Sequence, residues 1–285
     1  MRVAVCGLGR MGTAFAGVLL DAGHDVVVWN RTAGRAADLV ARGATEAPTA
    51  AAAAAGADLV VLMVFDGPAS EQALFAPDGI TAGAAAGTLL VNASTVGPDE
   101  SSGLASRVVA TGLRYLEAPV LGSVPAVLAG SLTVLTGGDV ADAAEAAPVL
   151  AAWSHAGRCR HAGPVGAATA LKLVANLALG VVAAGMRDAV SLGEDFGLPR
   201  ELVLDTLASG AFERVAGRSR ARLGAQDYAG APFTLAALDK DLRLATGYAH
   251  RPLPVAAAAA AVTSAGVAGG DGDCDIAVLG RGTPG

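Results

Sequence analysis

The sequence of 285 residues contains few cysteines and few charged side chains. Its three cysteines lie far apart and lack CxxC spacing, so we expect neither a disulfide framework nor a metal site. This cysteine usage fits a reducing compartment, which predicts a cytoplasmic protein. Lysine and arginine number 20 against 26 aspartates and glutamates, and the net charge of −6 excludes the basic field typical of a nucleic-acid-binding protein.

Long, strongly apolar runs are also missing, although hydrophobic residues make up 53% of the sequence. Two uncharged stretches, residues 79–98 and 252–270, are broken by Gly, Pro, Ser or Thr and carried by alanine. A membrane-spanning helix needs about 20 predominantly apolar residues, so we predict no membrane span. The first residues lack a cleavage-type end and are not expected to be a signal peptide.

The first half of the sequence alternates short apolar strands with helices. A strand over residues 2–6, a glycine turn, a helix over 13–21 and a strand over 25–29 make one βαβ unit. The further predicted strands cover residues 58–64, 88–92, 113–117 and 131–136. This alternation predicts an α/β fold with an N-terminal, doubly wound Rossmann sheet.

The pattern changes after about residue 160. Residues 166–194 form one long predicted helix of mainly Ala, Leu and Val, other helices follow, and only residues 276–278 suggest a further strand. We therefore predict two domains, residues 1–160 and 161–285, in which a long interdomain helix leads into an all-α C-terminal domain. His155 and His161 flank the junction and are expected to be structural.

Three glycines stand directly between the first strand and the first helix, in the sequence Gly7-Leu8-Gly9-Arg10-Met11-Gly12. In a GxGxxG turn, the first glycine permits the tight turn, the second lets the backbone approach a pyrophosphate, and the third lets helix pack on strand. The helix N-terminus then offers N–H groups and a partial positive charge to the phosphates. The motif predicts a dinucleotide site, the alternative being a structural turn.

The end of the second strand indicates which dinucleotide. An acidic residue there would bind the ribose 2′-OH of NAD, but the sequence is Trp29-Asn30-Arg31-Thr32. Asn30 can bond a ribose oxygen, Arg31 can pair with a 2′-phosphate through its planar fork of donors, and Thr32 can add a hydroxyl. NADP(H) is therefore the predicted cofactor, the alternative for Arg31 being a solvated surface side chain.

Lys172 is the only charged residue between His161 and Arg187. Asn176 follows four residues later, so both side chains share one face of the predicted helix. Apolar surroundings depress the pKa of a lysine and make it a usable proton donor near neutral pH. The spacing alone does not separate this interpretation from a lysine that extends along a helix edge to water.

These residues, together with further motifs, resemble the β-hydroxyacid dehydrogenases, a group of 3-hydroxyisobutyrate dehydrogenases and semialdehyde reductases with imine reductases as relatives. The resemblance covers nearly the whole chain. It rests on the following motifs: Gly7-Leu8-Gly9-Arg10-Met11-Gly12, Asn92-Ala93-Ser94-Thr95-Val96-Gly97-Pro98, Glu117-Ala118-Pro119-Val120-Leu121-Gly122-Ser123, Gly163-Pro164-Val165-Gly166 leading to Lys172 and Asn176, and Lys240-Asp241-Leu242-Arg243-Leu244-Ala245.

The resemblance implies that Lys172 is the general acid of a carbonyl reduction and that Asn176 orients the substrate. Cofactor contacts are implied for the glycine motif and for Met63, Val64, Phe65, Thr95 and Lys240, and substrate contacts for Leu121, Gly122, Ser123 and Phe233. Asp239 and Asp241 could hold Lys240 by ion pairing. The family's active site lies in an interdomain cleft, and its helical domains form homodimers or homotetramers.

Two departures from the family pattern bear on the substrate. Leu121 occupies the usual serine position, with the hydroxyl displaced to Ser123, and Ala175 replaces the first of two asparagines while Asn176 keeps the second. We expect an NADPH-dependent reductase of a small aldehyde or keto acid, reversible to hydroxyacid oxidation. The alternatives are an imine reductase, which Leu121 favours and Lys172 disfavours, and a non-catalytic NADP-binding module.

Overall fold

The computed structural model describes residues 1–154, 157–210 and 212–281, and His155 lies outside them. The chain forms two compact units, Met1–Lys172 and Leu173–Gly285. The division falls within a helix that begins in the first unit and continues into the second, whereas the predicted boundary after residue 160 precedes that helix. Each unit is described separately below.

One mixed sheet organises the first unit. Its strands are β1 (Arg2–Cys6), β2 (Asp25–Trp29), β3 (Thr45–Glu46), β4 (Leu59–Leu62), β5 (Leu89–Asn92), β6 (Arg114–Glu117), β7 (Val120–Leu121), β8 (Thr133–Gly137) and β9 (Cys159–Gly163). Their order is β3-β2-β1-β4-β5-β6-β8-β7, with β9 paired to β8. The first six of these are parallel and follow the order 3-2-1-4-5-6 of dinucleotide-binding sheets. The predicted α/β class is confirmed.

The central strands are apolar throughout because both faces of the sheet are covered. Successive side chains of β1 enter different clusters: Val3 and Val5 pack on one face, and Ala4 and Cys6 on the other. Helices supply both layers, and they are α1 (Arg10–Asp21), α2 (Ala37–Ala41), α3 (Ala50–Ala54), α4 (Gly67–Phe75), α5 (Ile80–Gly83), α6 (Pro98–Ala110), α7 (Val124–Leu128) and α8 (Val140–Ala151).

The second unit is helical. The long helix α9 (Ala167–Asp195) leads into it and is followed by α10 (Arg200–Ala208), α11 (Glu213–Ala225), α12 (Leu235–Gly247) and α13 (Pro254–Gly266). Buried Asp239 on α12 accepts hydrogen bonds from the hydroxyls of Thr263 (3.0 Å) and Ser264 (2.5 Å), which ties α12 to α13. A π-helical turn (Val267–Asp271) and a 3₁₀ helix (Ile276–Arg281) end the described chain.

Three local features differ from the sequence predictions. Residues 276–278 are 3₁₀ helix rather than strand, because buried Asp275 accepts the Ala277 N–H at 3.0 Å and starts a turn. Strand β9 spans the predicted domain boundary after residue 160, and α8 occupies a region where no helix was predicted. Strand β9 is polar and largely exposed, so pairing with β8 rather than an apolar pattern defines it.

Among the described residues, α9 is the helix that is long and apolar enough to cross a membrane, with a mean hydropathy of 1.8 over its most apolar window. Length and composition alone are weak evidence, since the core helix of a soluble protein has the same properties. Lys172 and Asn176 lie within this helix and are both buried. The absence of a membrane span stays a prediction.

Candidate active site

The glycine motif leaves open space at its second position, in front of α1. A Cβ at Gly7, where φ is 104°, would overlap the Met63 carbonyl oxygen, and a Cβ at Gly12 would overlap the Gly7 carbonyl oxygen. A Cβ at Gly9, by contrast, would meet no atom of the described residues within 4 Å. The internal packing therefore requires glycine at the first and third positions, and the second is open to a ligand.

This space suits the pyrophosphate of a dinucleotide. Gly9 immediately precedes α1 and, lacking a side chain, cannot cap the first N–H groups of that helix. Those N–H groups and the positive end of the helix dipole favour phosphate oxygens. The motif lies where the strand order reverses between β1 and β4, which is the ligand-binding edge of a doubly wound sheet.

Asn30 joins the glycine motif to the connection after β2. Its Oδ1 accepts the Leu8 N–H at 2.8 Å, and its Nδ2 donates to the Thr32 carbonyl at 2.9 Å. One amide hydrogen and one acceptor lone pair remain for a ribose. The side chain thus has a structural role that the sequence did not reveal, and its predicted ribose contact stays a prediction.

Arg31 lies on the surface after β2, and its guanidinium Nη1 donates to Gln72 Oε1 on α4 at 2.8 Å. A guanidinium carries five N–H donors, so this hydrogen bond leaves others for a phosphate. Thr32 is exposed beside it. The contact with Gln72 orients an otherwise solvated side chain. Because the two residues lie 41 positions apart, the sequence does not reveal this contact.

The buried Ser94 connects the segments that follow β4 and β5 by hydrogen bonds. The Ser94 Oγ accepts the Val64 N–H at 3.0 Å, and the Ser94 N–H donates to Asn92 Oδ1 at 3.0 Å. Met63 and Val64 are half-buried, and Phe65 is exposed. Thr95 follows directly and is half-buried. The predicted cofactor residues of both segments therefore lie at neighbouring strand ends.

A buried network continues from Asn92 behind these strand ends. The Asn92 Nδ2 donates to the Tyr115 hydroxyl at 2.9 Å, which lies 3.0 Å from the Ser101 hydroxyl on α6. Burial raises the pKa of Tyr115 to about 12, with a smaller contribution from the charge of Glu117. Sequence reasoning missed this network, and its one signal was a polar Asn92 ending an apolar strand.

Lys172 is 7% exposed, and its Nζ donates to the Val120 carbonyl at 2.8 Å. The ammonium group is thus buried rather than extended to water. Val120 directly precedes the predicted substrate segment. Leu121 and Ser123 are half-buried there, and Gly122 has a φ of 132°. A Cβ at Gly122 would lie 2.6 Å from Leu132 Cδ2, so this turn requires glycine. The fold brings the lysine to this segment.

In the second unit, buried Asp241 connects two of the predicted residues. Its Oδ2 accepts the Asn176 Nδ2 at 2.5 Å, and its Oδ1 pairs with Lys240 Nζ at 2.7 Å. Asp239 pairs instead with Arg243 at 2.9 Å. Of the two acids that could hold Lys240, Asp241 does so.

Phe233 is half-buried and packs against the cluster of Leu238 and Leu242 in the second unit.

Lys172 and Lys240 share one further property: they are the only lysines in the sequence, and every other strongly basic side chain is arginine. Lysine can release a proton near neutral pH when its surroundings favour it, whereas arginine stays protonated. Both lysines hydrogen-bond to fixed partners.

Comparisons with known protein families cover both units. Residues 2–163 match the NAD-binding domain of 6-phosphogluconate dehydrogenase. Residues 166–281 match the NAD-binding domain of NADP-dependent 3-hydroxyisobutyrate dehydrogenase.

Curated relatives include an uncharacterised oxidoreductase of Synechocystis sp., which is 35% identical over 98% of this chain and 97% of its own length. A 3-hydroxyisobutyrate dehydrogenase of Pseudomonas aeruginosa is 37% identical over 69% of this chain and 65% of its own length. The cytokine-like nuclear factor N-PAC of Xenopus tropicalis is 30% identical over 98% of this chain, which spans about half (53%) of that longer protein.

Solved structures of similar fold include a 3-hydroxyisobutyrate dehydrogenase from Salmonella typhimurium, with 25% identity, a TM-score of 0.89 and 99% of each chain covered. The Mycobacterium tuberculosis 3-hydroxyisobutyrate dehydrogenase with L-serine is 26% identical, with a TM-score of 0.84 and coverage of 98% and 97%. A reductive aminase from Aspergillus terreus in complex with NADPH and ethyl levulinate is 25% identical, with a TM-score of 0.66 and coverage of 98% and 97%.

Alanine at Gly9 and alanine at Gly12 should impair different properties, cofactor affinity and stability respectively. We expect Gly9→Ala to change the free energy of unfolding by less than about 0.5 kcal/mol, because its Cβ enters open space. It should weaken NAD(P)H binding at least about tenfold, or ~1.4 kcal/mol, because the methyl group occupies the phosphate approach. Gly12→Ala should instead destabilise the chain by about 1–3 kcal/mol through overpacking. Urea unfolding and a fluorescence titration with NADPH measure both quantities, and wild-type affinity in a folded Gly9→Ala variant would contradict the assignment.

Proposed function

The chain belongs to the β-hydroxyacid dehydrogenase family of NAD(P)-binding oxidoreductases, which includes the 3-hydroxyisobutyrate dehydrogenases, and we propose that it reduces the carbonyl group of a small aldehyde or keto acid with NADPH. The reverse reaction oxidises the matching hydroxyacid. The observation that carries this proposal is the buried Lys172 amino group beside residues 121–123. It is a proton donor next to a segment with half-buried Leu121 and Ser123.

The chain's residues fit the cofactor as follows. The glycine motif and the start of α1 would hold the pyrophosphate, Asn30 a ribose, and Arg31 and Thr32 the 2′-phosphate. Residues 63–65 and Thr95 would contact the rest of the dinucleotide. A bound NADPH supplies the hydride that reaches the carbonyl carbon.

Lys172 would donate the proton to the carbonyl oxygen, so that the carbonyl becomes a hydroxyl as the hydride arrives. The neutral amine then regains a proton from water. In the reverse direction the amine accepts the hydroxyl proton. General acid catalysis of this kind contributes about 10²–10⁴-fold to the rate. The Val120 carbonyl orients the ammonium group before substrate binds.

Two residues of the second unit would position the substrate and the cofactor. Asn176 would hold a substrate oxygen through its amide, and Lys240 would close over the nicotinamide side. The Asp241 carboxylate holds both side chains, one through each oxygen. Phe233 would add an apolar wall.

Ser123 and the backbone N–H groups of residues 121–123 would bind a substrate carboxylate. Ser123 begins α7, but its hydroxyl does not cap that helix. Leu121 gives the segment an apolar side chain. A short substrate with a carboxylate at one end and an aldehyde or ketone at the other fits this combination, as a semialdehyde does.

An imine substrate is the second candidate. Leu121 favours it, because an apolar wall suits a substrate without a carboxylate, and the likeness to a reductive aminase supports it. A non-catalytic cofactor-binding role is the third candidate, since membership of a fold family does not guarantee activity. Against both alternatives, Lys172 is a buried side chain suited to protonating an oxygen.

NADPH consumption across a substrate panel separates these candidates. We expect kcat/KM for succinic semialdehyde to exceed that for a cyclic imine at least about tenfold, because Lys172 protonates oxygen and Ser123 receives the carboxylate. Preference for the imine would support the second candidate. NADPH binding without turnover on any semialdehyde, keto acid or imine would support the third.

We also propose that the protein is cytoplasmic and forms a homodimer or homotetramer through its helical unit. Its cysteines are unpaired, which suits a reducing compartment. Leu192, Phe196 and Leu202 are each more than half exposed on the second unit, which suits an interface. Sedimentation velocity of the purified chain measures the assembly.

The cofactor preference should depend on Arg31. We expect wild-type kcat/KM to be higher with NADPH than with NADH, and Arg31→Ser to lower the NADPH value by roughly 10–100-fold, since a hydrogen bond to a charged group contributes about 1.5–3 kcal/mol. The NADH value should change little. Arg35→Ser, on the same exposed connection, is the matched control. Equal kcat/KM with both cofactors in the wild type would overturn the NADPH assignment.

Replacement of Lys172 should abolish most turnover while cofactor binding persists. We expect Lys172→Ala to lower kcat by about 10²–10⁴-fold, because the proton donor is lost. Lys172→Arg keeps the positive charge but cannot release a proton near neutral pH, so it should not restore the rate. Single-turnover oxidation of bound NADPH measures the step. A Lys172→Ala variant that binds NADPH and keeps more than about a tenth of wild-type turnover would exclude this role.

A further inference from the structure

Glu117 is a buried acid for which the reaction outlined above has no use. It ends β6, its side chain is 1% exposed, and no cation within the described part of the chain forms an ion pair with it. A buried carboxylate needs strong hydrogen bonds to offset its lost hydration. Its partners therefore identify what it does.

Both oxygens of this carboxylate contact the first turn of α9. Oε1 accepts the Thr169 hydroxyl at 2.6 Å, and Oε2 accepts the Ala168 N–H at 3.2 Å. Helix N-termini carry unsatisfied N–H groups and a partial positive charge, which stabilise a nearby carboxylate. Glu117 thus caps the helix that carries the proposed proton donor.

Gly137 leaves room for the Glu117 carboxylate because it has no side chain. It lies opposite Glu117 on the neighbouring strand β8. A Cβ at Gly137 would overlap Glu117 Oε2 and would lie 3.1 Å from Ala168 Cβ. The absence of a side chain at this position lets strand end, carboxylate and helix meet.

Lys172 lies one turn beyond this cap. It is three residues after Thr169 and four after Ala168, so these residues share a helix face. The Lys172 Nζ bonds the Val120 carbonyl, which is three residues after Glu117. The same chain segment therefore holds the helix at two points, by a carboxylate at its start and by a carbonyl at the lysine.

The segment between these two points is itself fastened to the sheet. The Ala118 N–H donates to the Asn92 carbonyl at 2.8 Å, and the Leu135 N–H donates to the Pro119 carbonyl at 2.9 Å. Neither the Glu117 carboxylate nor the Val120 carbonyl can shift independently of the sheet. The position of the lysine amino group follows from the position of the helix start.

From these contacts we propose that Glu117 is a positioning residue, which sets the axial position of α9 and thereby the placement of the Lys172 ammonium group for proton transfer. The inference rests on the proposed role of Lys172. It assigns Glu117 no contact with substrate or cofactor. Misplacement of a reacting group by about 1 Å can cost about 10²-fold in rate, so the effect should appear in kcat.

Glu117→Gln is the principal test, because the amide keeps the size of the side chain but loses the negative charge at the start of α9 and one of the two acceptor oxygens. We expect kcat to fall about 10–100-fold while the NADPH dissociation constant changes less than about twofold. Asp142→Asn is the matched control, since this buried acid pairs with Arg114 at the other end of β6, and within the described residues no hydrogen bond or ion pair joins it to α9. It should leave kcat per cofactor-binding site unchanged.

A comparison in the Lys172→Ala background separates positioning from a general loss of structure. If Glu117 acts through the lysine, Glu117→Gln should lower the residual rate less than about twofold in that background. An equal fold loss in both backgrounds, or an unchanged kcat in the single variant, would overturn the proposal. Full turnover by Lys172→Ala would instead overturn the proposed function, so the two failures are distinguishable.

Thr169 supplies a second, milder test in case Glu117→Gln does not fold. Thr169→Val removes the hydroxyl that donates to Glu117 and keeps the shape of the side chain, whereas Thr169→Ser keeps the hydroxyl. We expect a kcat loss of at least about threefold for the valine variant and rescue by serine, with NADPH binding unchanged in both. Equal kcat values for the two variants would count against the proposed positioning role of the Glu117 carboxylate.

Discussion

The hydrogen bond from the Lys172 amino group to the Val120 carbonyl connects the proposed chemistry of this chain to its fold. An ammonium group removed from water costs several kcal/mol unless polar partners replace its hydration. The carbonyl that receives it is held in place, because Val120 pairs with Val134 on β8. The sheet therefore fixes the position of the lysine, and α9 must start where the lysine can reach that carbonyl.

The elements that could be predicted from the sequence are those encoded in neighbouring residues. The expected strand over residues 2–6 is β1, and the expected helix over residues 166–194 is α9 (Ala167–Asp195), each within one residue. Continuous β-branched residues and a long run of Ala, Leu and Val are sufficient for these assignments. The 3₁₀ helix at Ile276–Arg281 could not be found in this way, because a buried side chain at Asp275 rather than a periodic pattern starts it.

The motifs indicate candidate site residues, but they do not indicate the contacts that hold those residues in place. Asn30 could be recognised from its place after β2, yet its bond to the Leu8 N–H depends on the approach of two strands. Asp241 lies 65 residues from Asn176 in sequence, and Glu117 lies 52 residues from Thr169. Such contacts follow from the completed fold, and a single sequence contains no signal for them beyond the presence of an acid.

The scarcity of lysine has a practical consequence. With Lys172 in one compact unit and Lys240 in the other, the sequence carries one lysine side chain in each. Nitrogen-15 labelling of lysine would therefore yield two side-chain ammonium resonances, one reporting on the Val120 carbonyl and one on the Asp241 carboxylate. A composition that is short of charged residues thus makes each compact unit separately visible to spectroscopy.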